Sequence, residues 1–173
     1  MNRRQLLAGM IGATTVGGGW LWTQRSDRGG EKRLEPTAVE TIDATGSTSG
    51  TVEIPTMDSP VLLEFFATWC DECREFMPTL ADVHASHGDR VTFISVTTEP
   101  VGFSIEESDV QDWWESHEGS WTVGIDPRLT LSEKLDVTSI PTTVLIDRDG
   151  TIRGQKTSPQ SEQELETFLE PVL

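Results

Sequence analysis

The only two cysteines of the chain, Cys70 and Cys73, are separated by two residues and follow directly after the apolar run 61–66. A disulfide requires Cα atoms about 4.4–6.8 Å apart, and two cysteines three positions apart meet this at the first turn of a helix. Such a bond closes a very small ring, whereas a structural disulfide stabilises a protein most when it closes a long loop. The spacing therefore predicts a reversible dithiol and redox chemistry.

The predicted helix after Cys70 indicates different roles for the two sulfurs. At a helix N-terminus, unpaired N–H groups and the helix dipole favour a thiolate, so Cys70 is expected to be the attacking nucleophile. Cys73 lies one turn further in and is expected to resolve the mixed disulfide formed with a substrate protein. Asp71 and Glu72 place two carboxylates beside Cys70. They disfavour its thiolate, and with it the reduced form, so the couple is expected to be reducing.

A metal site is the main alternative use of these cysteines. Cys70, Cys73, His84 and His87 form a Cys-x₂-Cys-x₁₀-His-x₂-His series. Both the central and the histidine spacings are shorter than those of a zinc finger, so no metal is expected. The sequence also has no nucleotide or flavin motif, which predicts no bound cofactor. Electrons would then come from a membrane thiol carrier or a partner protein.

The charge of the chain limits its partners. The formal net charge is −16 and the sequence pI is about 4.4. Nucleic acid is excluded as an expected partner, because its phosphates would be repelled. Acidic residues are spread along the whole chain, as in soluble surfaces suited to high salt, so a halophilic source is predicted.

The first 25 residues predict export. Arg3 and Arg4 precede the uncharged, mostly apolar and glycine-containing run 6–22, an arrangement that resembles a twin-arginine signal. As a helix this run would reach about 25 Å, slightly less than a hydrocarbon core of about 30 Å. We expect a membrane anchor, or a signal that is cleaved to give a secreted protein, and an extracytoplasmic location in both cases. Residues 26–50 are polar and predict a flexible linker, with the folded domain at 51–173.

Strands and helices alternate along this domain, which predicts an α/β fold with a central mixed sheet flanked by helices. The apolar runs and turn signals predict strands at 61–66, 91–96, 122–125, 142–146 and 151–155. The helical patterns lie at 71–88, 108–117, 129–135 and from 161 onward.

In this order, several motifs resemble the thioredoxin-like superfamily over about residues 52–173. They are the Trp-Cys-x-x-Cys segment after a buried strand, Arg74, Pro78 five residues after the second cysteine, and Ile140-Pro141-Thr142 before a strand and an Asp-Gly hairpin. The long stretch 97–121 and the exported N-terminus look most like the membrane-tethered, extracytoplasmic branch (TlpA/ResA-like). That branch acts in thiol reduction and cytochrome c maturation.

The resemblance implies further site residues. Pro141 matches the cis-proline that lies against the disulfide, which lets the backbone of Ile140 pair with an extended substrate. Trp69 is expected to shield the sulfurs and contact substrate. Glu64 matches a buried acid below the disulfide, where it would exchange a proton with Cys73. Phe76 stands where related reductases often have Glu, which argues against a role dedicated to apocytochromes.

The predicted function is therefore a thiol–disulfide oxidoreductase that reduces disulfides in exported proteins. One alternative is a disulfide oxidase or isomerase with the same cysteines. Another is a non-catalytic thioredoxin-like binding module or metal chaperone.

Overall fold

The structure is a computed structural model that describes residues 31–173. The predicted signal or anchor at 1–25 lies outside these residues. Between residues 31 and 173, no helix combines the length and the apolar character that a membrane crossing requires.

Seven strands form one mixed sheet in the order β2-β1-β5-β4-β3-β6-β7. The strands are β1 Thr37–Thr41, β2 Gly50–Ile54, β3 Val61–Phe66, β4 Thr92–Thr97, β5 Thr122–Ile125, β6 Thr142–Ile146 and β7 Ile152–Lys156. The helices are α1 Asp71–His87, α2 Glu107–Ser116, α3 Thr130–Lys134 and α4 Glu162–Leu169, followed by a 3₁₀ turn at Glu170–Val172. Strands β3, β4 and β5 are parallel, and β6 is antiparallel to β3. The predicted sheet with flanking helices is thus confirmed.

The central strand β3 is buried along its whole length because both faces of the sheet are covered. Leu62 and Phe66 point into one apolar cluster, which includes buried residues of α1, α2 and α4. Leu63 and Phe65 point into a second cluster, which includes Leu131 of α3. The alternation of side chains along β3 therefore divides the core into two layers.

The predicted linker at 26–50 was wrong from residue 31 onward. Strand β1 lies entirely within 26–50, where it pairs with β2 and, through Glu40 and Thr41, with β5. Its buried positions are Thr37, Val39 and Thr41, a period-two pattern made largely of threonine. Because threonine is polar in composition but well suited to strands, the segment looks like a spacer. The folded unit begins at Glu31 rather than at residue 51.

The tryptophans of the long insert 97–121 belong to the core. Trp114 is fully buried and Trp121 is nearly so. Trp113 stacks on Phe66 at the end of β3, with 4.8 Å between ring centroids. The insert thus covers the sheet beside the segment that carries the cysteines.

Candidate active site

The candidate site lies where four strand ends meet. The carboxyl ends of the parallel strands β3, β4 and β5 share one edge of the sheet with the amino end of the antiparallel strand β6. The loop 67–70 follows β3, Thr98 and Glu99 follow β4, and Pro141 precedes β6. Topology therefore gathers the sequence-predicted cysteines and Pro141 at one edge.

Cys70 and Cys73 form a disulfide with their Cα atoms 5.2 Å apart. Cys70 is the N-cap of α1, and its Sγ accepts a hydrogen bond from the backbone N–H of Cys73 at 3.1 Å. The exposed fraction is 7% for Cys70 and 1% for Cys73. An attacking thiol on another protein can thus reach Cys70 more readily than Cys73.

A groove of about 640 Å³ opens beside Cys70. One wall is the segment 69–72, and the other is formed by α3, its flanking residues and the segment 137–140. Trp69 is 72% exposed and lines this groove next to Cys70. Ile140 also lines the groove, and the Ile140–Pro141 peptide bond is cis. The groove is open to solvent.

The two carboxylates between the cysteines have different surroundings. Asp71 forms an ion pair with Arg74 at 2.8 Å, and both side chains are exposed. Glu72 is exposed, lines the groove and has no ion pair within residues 31–173. Of the two, Glu72 is therefore the carboxylate whose charge is not offset by an ion pair.

Glu64 is a buried acid at the middle of β3, with an exposed fraction of 2%. Its register partners are Ser95 on β4 and Thr143 on β6. It shares a sheet face with Leu62 and Phe66, whose cluster also contains both cysteines. Burial raises the pKa of the Glu64 carboxyl to about 8, and the Ser95 hydroxyl offsets part of this rise. Glu64 can therefore hold or release a proton near neutral pH.

A second buried acid, Glu99, was not singled out by the sequence patterns. Its exposed fraction is 8%, and its carboxylate binds Thr68, two residues before Cys70. The available signal is positional, because Glu99 lies just beyond a strand that runs parallel to β3 and therefore ends at the same sheet edge.

The histidines of the predicted metal series lie apart from the sulfurs. His84 packs against the rings of Phe93 and Trp121, with centroid distances of 5.1 and 5.2 Å. His87 lies 3.6 Å from the carboxylate of Glu166 on α4. Within the part of the chain that the structure describes, no three metal-binding side chains come together.

The chain is similar in sequence to known proteins. A family model described as Redoxin matches residues 34–169. The chain is 27% identical over 110 residues to Thioredoxin-like protein YneN of Bacillus subtilis, covering 64% of this chain and 63% of the relative. It is 25% identical over 114 residues to thiol-disulfide oxidoreductase ResA of Bacillus thuringiensis, covering 65% and 62%. The chain thus spans less than two thirds of these relatives.

The fold is also that of solved structures. The exposed lipoprotein thioredoxin Etrx1 of Streptococcus pneumoniae superposes with a TM-score of 0.64 at 22% sequence identity. The match covers 79% of this chain and 99% of the pneumococcal one. The architecture is therefore shared across nearly the whole of that protein.

Proposed function

Because the chain belongs to the Redoxin family, we propose that it is a thiol–disulfide oxidoreductase that exchanges disulfides with other proteins through Cys70 and Cys73. The observation that carries this proposal is the Cys70–Cys73 disulfide at the N-terminus of α1, with Cys70 at the mouth of a groove. A buried structural disulfide would need neither the groove nor the exposed side of Cys70.

The proposed reaction transfers two electrons and two protons. In the reduced enzyme, the Cys70 thiolate attacks one sulfur of a substrate disulfide and forms a mixed disulfide, while the other substrate sulfur leaves as a thiolate and takes a proton from solvent. The ionised form of Glu64 then takes the proton of Cys73, and the Cys73 thiolate attacks the Cys70 sulfur. The second substrate sulfur leaves as a thiolate and receives that proton from Glu64, so the substrate carries two thiols. The enzyme disulfide has formed, and an external dithiol returns the enzyme to its reduced form.

Net reduction is the proposed direction of flow. The uncompensated charge of Glu72 beside Cys70 disfavours the thiolate of the reduced enzyme. A couple whose reduced form is less stable has a more negative potential. We therefore expect a potential below about −150 mV, well removed from the roughly −120 mV of strong oxidants in this superfamily.

Replacing Glu72 with Gln tests this account of the potential. The Glu72→Gln variant should have a potential higher by about 10–30 mV at 0.1 M salt, since about 30 mV corresponds to 1.4 kcal/mol for two electrons. At 1 M salt the Debye length is about 3 Å, so the shift should shrink. Equilibration with glutathione measures both values. Glu162→Gln on α4, away from the groove, is the matched control and should leave the potential unchanged. A wild-type potential above about −150 mV would instead favour the oxidase or isomerase.

The proposed enzyme acts outside the cytoplasm on exported proteins. We place the enzyme outside the cytoplasm, held at the membrane by residues 1–25, with disulfides of exported proteins as substrates and a membrane thiol carrier as donor. The pneumococcal structural relative is an exposed lipoprotein, which supports this location. Because Phe76 stands where related reductases have Glu, we propose exported proteins in general, with apocytochrome c as one case. The strongly acidic chain is proposed to suit high salt.

The groove should also select substrates by charge. Its lining includes the carboxylates of Asp71, Glu72 and Glu133 and no lysine or arginine. Peptides with a basic residue near the target disulfide should thus react faster than neutral ones. Glu133 is on α3, on the wall opposite the cysteines, so Glu133→Gln should lower kcat/KM for a basic peptide by about 1.5- to 5-fold, as for an exposed pair worth 0.2–1 kcal/mol. Glu162→Gln corrects for net charge. Equal losses with basic and neutral peptides would exclude charge selection at Glu133.

A further inference from the structure

The loop that carries Trp69 and Cys70 is a tight turn. The backbone N–H of Cys70 donates to the carbonyl of Ala67 at 3.1 Å. The N–H of Thr68, inside the turn, is satisfied from outside it, because Glu99 Oε2 accepts this hydrogen bond at 2.7 Å. Glu99 Oε1 accepts a second bond from the Thr68 hydroxyl at 2.9 Å. One carboxylate thus holds both the backbone and the side chain of Thr68.

Glu99 is itself fixed in place. Its Oε2 also accepts from the Thr97 hydroxyl at 3.0 Å, and that hydroxyl accepts the N–H of Glu99 at 3.2 Å. The carbonyl of Thr97 accepts the N–H of Asp126, at the end of β5, at 2.8 Å. Bonds between neighbouring strand ends therefore anchor the carboxylate to the rigid part of the sheet.

A carboxylate at the buried position 99 does more than fill space in the core. Glu99 is buried, yet within residues 31–173 no lysine, arginine or histidine pairs with it. Burying an unpaired charge is costly, and only its hydrogen bonds offset that cost. Hydrogen bonds to a charged acceptor are about twice as strong as neutral ones. The result is a strong attachment for the turn.

We infer that Glu99 is a positioning residue for disulfide exchange: it holds the turn 67–70 so that Trp69 and Cys70 keep their place at the groove. The inference rests on the proposed function. The attachment matters most in the reduced enzyme, where the covalent link between Cys70 and Cys73 is open. Glu99 then holds the turn that presents the attacking thiolate to a bound disulfide. Correct placement of reacting groups is worth large rate factors, and small displacements are costly.

Three variants test this role with a disulfide-bonded model peptide. Glu99→Ala should lower kcat/KM by about tenfold or more, since the turn loses its attachment. Glu99→Gln should recover the rate to within about threefold, because its amide oxygen can accept the Thr68 N–H while its NH₂ donates to the Thr68 hydroxyl. Thr68→Val removes only the hydroxyl contact and should cost about two- to threefold. This last variant keeps the test decisive if Glu99→Ala does not fold.

Asp147→Ala is the matched structural control. Asp147 accepts hydrogen bonds from the N–H groups of Asp149 and Thr151 and from Arg153. Asp147 follows the end of β6, whereas Pro141 and the groove lie at the start of that strand. The Asp147→Ala substitution should therefore reduce stability without changing the rate of disulfide exchange. Amide exchange by NMR on the reduced proteins gives a second readout. The Thr68 N–H should be protected in the wild type and in Glu99→Gln, and exchange rapidly in Glu99→Ala.

The outcomes separate this inference from the proposed function. A folded Glu99→Ala protein with wild-type exchange, or an unprotected Thr68 amide in the reduced wild type, would overturn the positioning role alone. An equal loss of rate in Asp147→Ala would assign the effect to general stability and would also overturn it. A wild type that exchanges no disulfide, with its Thr68 amide protected, would overturn the proposed function and with it the catalytic purpose of the attachment.

Discussion

Cys70→Ser is expected to abolish disulfide exchange, and Cys73→Ser is expected to stop it at the mixed disulfide. Cys70 caps α1 beside the groove, whereas Cys73 is almost fully covered. The first sulfur can meet a substrate and the second can meet only Cys70. A serine hydroxyl cannot replace a thiolate nucleophile, so each variant should turn over at least about a thousandfold more slowly than the wild type.

The two variants are distinguished by the adduct that they form. Each variant is mixed with a model peptide disulfide, the products are separated without reductant, and their masses are measured by mass spectrometry. Cys73→Ser should accumulate an adduct of one peptide per chain through Cys70, and Cys70→Ser should form none. The reduced wild type is the reference for unfolding free energy, which should fall more for Cys73→Ser than for Cys70→Ser, because Cys73 is the more deeply buried of the two cysteines in the apolar core.

Two other results would change the assignment. Adducts on Cys70→Ser and none on Cys73→Ser would reverse the roles of the sulfurs. No adduct on either variant, together with tight retention of one metal ion per wild-type chain, would favour the metal chaperone over the oxidoreductase.

The sequence predicted the parts of the fold that depend on local patterns. The strand bounds at 61–66, 122–125 and 142–146 agree with the structure, because these strands are short apolar runs bounded by turn residues. The predicted start of the last helix at 161 also agrees, since Ser161 is the N-cap of α4 and forms a capping box with Glu164. Glu64 is also buried, as the family resemblance implied.

Other features depend on contacts between distant segments. Strand β1 consists of two threonines, an alanine, a glutamate and a single valine, and only its pairing with β2 and β5 identifies it as part of the sheet. The role of Glu99 likewise depends on its hydrogen bond with Thr68, which forms because the adjacent strands β3 and β4 end side by side. The side-chain partners of Glu99 therefore cannot be predicted from spacing alone. The pairing of Asp71 with Arg74 is instead local, three residues apart on α1, and it decides which acid beside Cys70 keeps its full charge.

The stability of the oxidised protein is expected to fall as the pH rises from 5 to 9, and Glu64→Gln should remove most of that fall. Burial raises the folded-state pKa of Glu64 from 4.5 to about 8, so the folded protein retains a proton that the unfolded chain releases. The stabilisation from this proton is complete below about pH 4.5 and is lost as the pH rises through about 8. The loss between pH 5 and 9 is about 4 kcal/mol, since each pKa unit corresponds to 1.36 kcal/mol.

Urea unfolding of the wild type and Glu64→Gln at several pH values measures this difference directly, because every other titrating group is common to both proteins. Glu64→Gln should be the more stable protein at pH 9, where the wild type buries a charged carboxylate. Parallel pH profiles for the two proteins would show that Glu64 ionises in the folded state as it does in the unfolded one.

The same variant tests the proton exchange with Cys73. An amide has no proton to take up or return, so the step in which Cys73 displaces the substrate should be slowed near neutral pH, while the attack by Cys70 keeps its rate. Two results together would show why the chain keeps a destabilising buried acid: Glu64→Gln is more stable than the wild type at pH 9, and it releases the mixed disulfide more slowly. The acid would then be kept for this proton transfer.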